Sequence, residues 1–223
     1  MLDLFLVISS ALARPCAPIP LATGATWVYT AKVAWSGIGT DTAGTRIFSW
    51  TTRVVSTAAG PGAVAAVVRG WPSELAWWTP GQRPGLSVVY CTRDAVYRLT
   101  TPDSSQVSAL ADSLIAGTRV PSQDEILIQL PLRVGQLFGR DSLERTDTFY
   151  AWLVERADAT PPALRRYSPE VSDTLYQLVY RTLPDHQIVV LAPGLGVTRY
   201  IYSHHGTVAE ADARLIRFQA GAS

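Results

Sequence analysis

The three histidines of the chain are the side chains best suited to acid–base or metal chemistry. His204 and His205 are adjacent, and His186 precedes them. Two imidazoles and a carboxylate such as Glu210 form a donor set that Zn²⁺ accepts. One hypothesis is therefore a metal-assisted hydrolase that uses His186, His204 and Glu210 as weak catalytic candidates.

A hairpin turn is the competing interpretation of the same residues. His205-Gly206 lies between two alternating segments, and glycine supplies the positive φ that such a turn needs. Consecutive residues of a strand point to opposite faces, so His204 and His205 reach one ion only if the turn bends them together. We favour the turn, and we predict no metal site and no cofactor.

A catalytic triad is a second chemical possibility, because Asp185-His186 pairs an acid with a base. The chain has no Gly-x-Ser-x-Gly nucleophile elbow, and Ser142 lies in a charged turn context. Pro184-Asp185 is typical of a turn between two strands. We therefore assign no residue as catalytic, and we regard an enzyme as the less favoured class.

Three tryptophans point to binding. Trp71, Trp77 and Trp78 lie in a stretch that is punctuated by proline and glycine. Adjacent Trp77 and Trp78 cannot both face one core if that stretch is extended, and an exposed tryptophan commonly marks contact with a ligand or partner. A sheet that is covered on both sides would instead bury both rings. We predict that these three residues contribute to ligand or partner binding.

Alternation of apolar and polar residues predicts the elements that position these side chains. In Thr26 to Ser36 the residues Trp27, Tyr29, Val33 and Trp35 fall on one face. Helical spacing after Asp103 predicts one short helix over 104–116, which we expect to plug or bridge the two halves of the chain. Further strands are predicted at 46–57, 63–71, 86–92, 95–100, 125–130, 147–157, 173–183, 186–191, 197–204 and 207–218.

A short motif occurs twice and organises these strands. Pro20-Leu21-Ala22-Thr23-Gly24 leads into Trp27, and Pro131-Leu132-Arg133-Val134-Gly135 leads into Phe138. Proline ends strand pairing, and glycine allows the positive φ that starts a strand at a new angle. We predict an all-β fold with one short helix: a strongly curved antiparallel sheet, half-barrel or sandwich-like, with internal pseudo-duplication. Residues 14–223 would form a single β domain with halves of about 20–102 and 125–218.

Together with Pro193-Gly194-Leu195-Gly196, these motifs resemble those of exported bacterial proteins of unknown function. The matching residues are Pro20, Leu21, Gly24 and Trp27; Pro131, Leu132 and Gly135; and Pro193, Gly194 and Gly196. Such proteins look like curved sheets similar to the half-barrels of periplasmic lipoprotein carriers. The resemblance implies a concave face that holds lipid.

The first thirteen residues resemble a signal peptide. An apolar run is followed by Ala11-Leu12-Ala13, which has the spacing that signal peptidase reads, although Asp3 stands where positive charge is usual. We therefore expect an extracytoplasmic protein: secreted, periplasmic or on the cell surface. A bridge between Cys16 and Cys91 would add roughly 4 kcal/mol by closing a long loop. We favour the alternative, in which Cys91 is an unbridged, buried apolar residue.

Composition excludes some function classes. A hydrophobic fraction of 48% with 17% charged residues is typical of a folded domain, and a net charge of +1 gives no reason to expect nucleic acid. We expect no transmembrane helix in the mature chain. The favoured function is a non-catalytic binding or envelope-associated module for a lipid, another apolar ligand or a protein partner. An apolar cavity lined by the strands of Trp27, Trp35, Trp50 and Tyr180 would support the ligand version, whereas a solid core filled by those side chains would contradict it. The alternatives are the metal-assisted hydrolase and a structural accessory subunit of a surface assembly.

Overall fold

A computed structural model describes Cys16 and residues 18–36, 43–139, 147–206 and 208–222. Within these residues, twelve strands form one antiparallel sheet. The predicted fold class is confirmed: the chain is mostly antiparallel β-structure with one short helix. The predicted signal peptide and Ser142 lie outside the described residues.

The strands follow the predicted alternation closely. Two of them, Thr26–Ser36 and Leu86–Thr92, have the predicted bounds. In chain order the strands are β1 Thr26–Ser36, β2 Ala43–Gly60, β3 Ala63–Arg69, β4 Leu86–Thr92, β5 Ala95–Leu99, β6 Ile126–Gln129, β7 Leu137–Phe138, β8 Trp152–Ala159, β9 Thr174–Arg181, β10 Asp185–Ala192, β11 Gly196–His204 and β12 Ala209–Gln219.

The sheet curls until its two ends almost meet. Its strand order is β6-β5-β4-β3-β2-β1-β12-β11-β10-β9-β8-β7, so β6 and β7 are the ends. Gly139 follows β7 directly, and a Cβ at this position would lie 3.5 Å from the carbonyl oxygen of Ile126 at the start of β6. The fold is therefore a nearly closed, barrel-like sheet.

The two Pro-Leu-x-x-Gly motifs have the same role in the two halves. Gly24 and Gly135 both have φ of 85°. The Gly24 amide donates to the carbonyl of Val54 at 2.9 Å, and the Gly135 amide donates to the carbonyl of Val154 at 2.8 Å. Both valines are buried, and in both strands the pairing shifts directly after the valine. The motif therefore anchors a strand entry beside a β-bulge, once in each half.

The strand register extends this equivalence. Trp27 stands three residues after Gly24 and pairs with Thr52. Phe138 stands three residues after Gly135 and pairs with Trp152. By this correspondence β1 to β6 repeat as β7 to β12, and the pairing of β1 with β12 joins the two copies.

One end of the enclosed space is filled by side chains. Trp27 Nε1 donates to the carbonyl of Leu195 at 2.6 Å, and the Tyr29 hydroxyl donates to the carbonyl of Val197 at 2.9 Å. These bonds tie the inner face of β1 to the turn between β10 and β11. Trp50 Nε1 donates to the carbonyl of Gly70 at 2.8 Å. The indoles of Trp27 and Trp50 are therefore part of a solid core, each with its polar atom hydrogen-bonded.

The helix α1, Val107–Ile115, does not plug or bridge the halves, contrary to our expectation. Its buried residues Val107, Ala111 and Leu114 pack against outward-facing side chains of β3, β4 and β5. Strand β3 is apolar on both faces, so its outer face must also be buried, and helix α1 buries it. A single helical turn, α2 Pro162–Arg165, lies between β8 and β9. No helix in the described part of the chain has the length and hydropathy that crossing a bilayer requires.

Cys16 and Cys91 form a disulfide, so the favoured interpretation of Cys91 as an unbridged residue was wrong. The two Cα atoms are 5.5 Å apart, within the range that a disulfide spans. Cys91 is buried on the inner face of β4, as its apolar neighbours predicted. Burial and bridging are compatible here, because the segment that precedes β1 packs against the core beside it.

Two boundary errors lie in one region. The strand predicted over 147–157 begins only at Trp152, and residues 147–151 form turns and bends. The two-residue strand β7 was not predicted. Aromatic residues before Trp152 extended the strand prediction too far, and two residues are too few for alternation to be recognised.

Candidate functional site

A cavity of about 670 Å³ lies inside the curved sheet. It is lined by strands β5 and β6 of the first copy, β1 to β6, and by strands β8 to β11 of the second copy, β7 to β12. Its lining residues are Trp71, Pro72, Ser73, Ala76, Arg98, Asp124, Glu125, Ile126, Leu127, Ile128, Gly139, Tyr150, Trp152, Tyr180, Gln187, Val189, Val197 and Tyr200.

The connection between β3 and β4 supplies one wall of this cavity. It contains a 3₁₀ turn, Pro72–Leu75, and it folds into the sheet instead of forming an outer hairpin. The Glu74 carboxylate closes the base of this connection. It accepts hydrogen bonds from the backbone amides of Trp71 at 3.0 Å and Gly85 at 2.8 Å. Both oxygens of the Glu74 carboxylate therefore accept backbone hydrogen bonds that hold this connection, the inward wall of the cavity, in place.

Arg98, on the inner face of β5, is the cation of the cavity. Its side chain is only 20% exposed. Nη1 donates to the Ser73 hydroxyl at 3.2 Å and Nε donates to the Ser87 hydroxyl at 3.3 Å, while Nη2 lies 3.6 Å from Glu74 Oε1. Burial lowers the pKa of Arg98, and the charge of Glu74 acts in the opposite direction. An arginine remains charged in such a setting, so the cavity contains a partly desolvated cation.

Two tyrosines and their partners form the facing wall. The Tyr200 hydroxyl donates to Gln187 Oε1 at 3.2 Å, and both residues line the cavity. One step further along the same strands, the Tyr202 hydroxyl donates to Asp185 Oδ1 at 2.6 Å. Burial raises the pKa of Tyr200, although the charge of Arg98 acts to lower it. The Tyr200 hydroxyl therefore stays protonated and acts as a donor.

The three predicted binding tryptophans have different environments. Trp71 is buried and lines the cavity. Trp78 is 5% exposed and packs against Trp35 and Phe48, with ring centroids 5.5 and 4.8 Å away. Trp77 is 46% exposed and has a positive φ of 58°. One of the adjacent rings is thus exposed and the other is buried, and a turn with positive φ at Trp77, not extended backbone, separates them.

Trp77 connects the inward wall to the second half of the sheet. Its ring lies over the imidazole of His204, with centroids 4.5 Å apart, and 6.1 Å from the ring of Tyr202. His204 Nδ1 lies 3.0 Å from Asp185 Oδ1. Burial raises the pKa of Asp185, but hydrogen bonds from Tyr202 and His204 outweigh this effect, and the net pKa is lowered. The carboxylate is thus an ionised acceptor that fixes the imidazole beneath Trp77.

The structure does not bring together the residues proposed for a metal-assisted hydrolase. Asp185 pairs with His204, while His186 pairs with Ser203. His186 and His204 therefore project from opposite faces of the sheet. Glu210 pairs with Ser203 and is exposed on the outer face. Among the described residues, no group of three or more His, Cys, Asp or Glu side chains is placed to hold a metal ion.

His186 lies beside ionic residues on the outer face. It pairs with Arg181, whose Nη2 donates to Glu155 at 2.5 Å. Burial lowers the pKa of His186, and the charge of Arg181 lowers it further. Its Nε2 has no hydrogen-bond partner in the described part of the chain. Asp185-His186 is therefore not an acid–base pair; the histidine that Asp185 orients is His204.

Sequence reasoning missed Arg98, Gln187 and Tyr200. Each lies on the inner face of a strand that is at least partly buried on both faces. Apolar and polar residues do not alternate clearly in such a strand, so alternation did not identify these positions. A single arginine within Ala95-Val96-Tyr97-Arg98-Leu99 is the one clue that the sequence offered. The cavity expected along the strands of Trp27, Trp35, Trp50 and Tyr180 has only Tyr180 in its lining. Trp27 and Trp50 fill a core instead.

Two solved structures are similar to this chain over most of its length. One is a protein from Bacteroides fragilis inferred to be exported and described as having a YmcC-like fold; it covers 92% of this chain and 99% of its own at 10% identity, with a TM-score of 0.43. The other, from Parabacteroides distasonis, is inferred to be a lipoprotein; it covers 92% and 100% at 9% identity, with a TM-score of 0.39.

No family model matches the sequence, and no curated protein matches it. The resemblance to lipoprotein carriers stays a prediction.

Proposed function

We propose that the chain is a non-catalytic, extracytoplasmic binding module that holds a small amphiphilic ligand in the cavity of the curved sheet. The cavity itself is the observation that carries this proposal. At about 670 Å³ it falls within the range of small-molecule sites, roughly 300–1,000 Å³. A little more than half of its lining is apolar, and the polar remainder includes the charged side chains of Arg98, Asp124 and Glu125. Small-molecule sites likewise combine apolar walls with placed polar groups.

The fold gives the cavity a fixed shape. The Glu74 carboxylate holds one wall through two backbone amides, and the ring of Trp77 rests on His204 in the other half. A ligand would therefore enter a site whose walls are already ordered. Preorganisation of this kind lowers the entropy cost of binding.

The disulfide supports an extracytoplasmic location. Disulfides such as Cys16–Cys91 form and persist in oxidising compartments and are rare in the cytosol. The location proposed here agrees with the signal peptide predicted from the first thirteen residues. His186 and His204 point to opposite faces of the sheet, so they do not form the metal site that the hydrolase hypothesis requires. A binding role needs no such site.

Binding of the apolar fluorophore N-phenyl-1-naphthylamine tests the proposal. Val189 lines the cavity, whereas its neighbour Val190 points to the other face of β10. We expect the probe to brighten with the wild-type protein and with Val190→Phe, and to bind at least tenfold more weakly to Val189→Phe. Equal binding by the two variants, or no binding by the wild-type protein, would contradict the proposal.

A further inference from the structure

The guanidinium of Arg98 has hydrogen-bonding capacity that the described residues do not use. Arginine carries five N–H donors. Two of them reach the hydroxyls of Ser73 and Ser87, at 3.2 and 3.3 Å. Nη2 forms an ion pair with Glu74 Oε1 at 3.6 Å, a separation longer than a hydrogen bond. Arg98 therefore presents N–H donors that no described residue accepts, beside a cavity that it lines.

Gln187 presents donors to the same cavity from the facing wall. Its Oε1 accepts the hydrogen bond of the Tyr200 hydroxyl, which leaves the Nε2 amide group without an acceptor among the described residues. Arg98 and Tyr200 are close enough for the charge of Arg98 to act on the hydroxyl. A ligand group between these walls therefore meets N–H donors on both sides, and the chemistry that satisfies them is an oxyanion.

Another part of the lining suits an apolar body. Trp71, Ile126, Ile128, Trp152 and Val189 present apolar surface to the cavity. Asp124 and Glu125 also line it; Glu125 is paired with Arg119 at 2.9 Å, and a hydrogen bond from Ser122 lowers the pKa of the Asp124 carboxyl group. These acids repel an anionic head at their own positions. An acidic ligand would therefore be oriented, with its head at Arg98 and its chain along the apolar wall.

We propose that the cavity selects a single-chain amphiphile with an oxyanion head, a carboxylate or a phosphate, which Arg98 and Gln187 hold by charge-assisted hydrogen bonds. This inference rests on the proposed function, because it requires that the cavity be a ligand site. It adds the chemical class of the ligand and the residues that recognise its head. Laurate, dodecyl phosphate and dodecanol share one chain length and differ in the head, so they separate the two parts of the claim.

The experiment measures how each of these three compounds displaces N-phenyl-1-naphthylamine from the wild-type protein, Arg98→Gln and Gln187→Leu. We expect one or both anions to bind wild-type protein at least tenfold more tightly than dodecanol, since hydrogen bonds to charged groups contribute about 1.5–3 kcal/mol. The stronger anion identifies the head. Arg98→Gln should weaken the binding of the anions far more than the binding of dodecanol and so remove this preference, and Gln187→Leu should reduce it.

Three outcomes are decisive. Equal affinity of wild-type protein for the anions and dodecanol overturns the oxyanion inference and leaves the proposed function intact. That comparison needs no variant, so it holds even if Arg98→Gln fails to fold. Absence of binding by all three compounds overturns both. An anion preference that survives in folded Arg98→Gln overturns the assignment of the head group to Arg98.

Discussion

Trp77 lies over the imidazole of His204 with ring centroids 4.5 Å apart, and this contact joins the two halves of the sheet. Trp77 belongs to the connection that folds inward from the first half, and His204 ends β11 of the second half. The wall of the cavity is thus fixed at its base by Glu74 and at its far end by Trp77. The Glu74 hydrogen bonds and the Trp77–His204 contact thus hold one wall of the cavity in place.

Replacement of the adjacent tryptophans should have very different consequences. Trp78→Ala should lower the free energy of unfolding by about 3–5 kcal/mol, because it removes a buried ring from between Trp35 and Phe48. Trp77→Gly should cost less than about 1 kcal/mol, because glycine relieves the positive φ of this residue as it gives up the contact with His204. Urea unfolding gives both values. Trp77→Ala is the control, and it should be about 1 kcal/mol less stable than Trp77→Gly.

The pseudo-duplication predicts equal effects at two distant glycines. Gly24→Ala and Gly135→Ala each place a side chain at φ of 85°. Among the described residues, no atom lies within 4 Å of a Cβ at Gly135, and only Gly221 Cα lies at 4.0 Å from one at Gly24. The cost is therefore conformational, about 1–2 kcal/mol at each position. Thermal unfolding of the two variants checks this, and a large difference between them would contradict the equivalence of the motifs.

Loss of the disulfide should destabilise the protein substantially. The bridge closes a loop between residues 75 positions apart, for which the chain-entropy model gives about 4 kcal/mol. We expect Cys16→Ser to lose about 2–4 kcal/mol in urea unfolding. Dithiothreitol should bring the wild-type protein to the stability of the variant and leave the variant itself unchanged. A wild-type protein that does not respond to dithiothreitol would argue against the bridge.

Asp212 should contribute to stability above its titration range and lose that contribution in acid. Burial raises its pKa, but hydrogen bonds and charges from Arg199 and Arg214 outweigh burial and hold the pKa at about 2, below the ordinary 3.8. The folded state thus binds this proton less readily than the unfolded state, so stability is present above pH of about 4 and falls as the pH drops towards 2.

Asp212→Asn tests this linkage. Because Arg214 is largely exposed, solvent screens part of the interaction, and we expect a loss of about 1 kcal/mol at pH 7. The variant should also have a flatter dependence of unfolding free energy on pH between about 4 and 2. Glu210→Gln, a carboxyl-to-amide substitution at an exposed outer-face position of the same strand, is the matched control.

The sequence predicted side-chain orientation best where one face of a strand is buried and the other is exposed to solvent. Trp27, Tyr29 and Val33 all face the core, as their alternation predicted. It was least informative where both faces are covered. Arg98 faces the cavity, while helix α1 covers the other side of neighbouring strands. Apolar and polar residues therefore do not alternate there, and the sequence pattern does not show which face is buried.

The candidate site was harder to predict than the fold, because it depends on register. The sequence places Asp185 next to His186, but antiparallel pairing puts His204 opposite Asp185. The inward path of the connection between β3 and β4 is likewise a tertiary property. The glycines and prolines of residues 70–85 predicted a loop, and a loop can fold either inside or outside a curved sheet.

Native mass spectrometry with added laurate tests the central claim most directly, because it counts bound molecules per chain. We predict a one-to-one complex with the wild-type protein and with Val190→Phe, and almost none with Val189→Phe, whose added ring occupies the cavity. Multiple weakly bound laurate molecules, or equal complex formation by Val189→Phe and Val190→Phe, would place binding elsewhere on the protein and contradict a ligand site within the curved sheet.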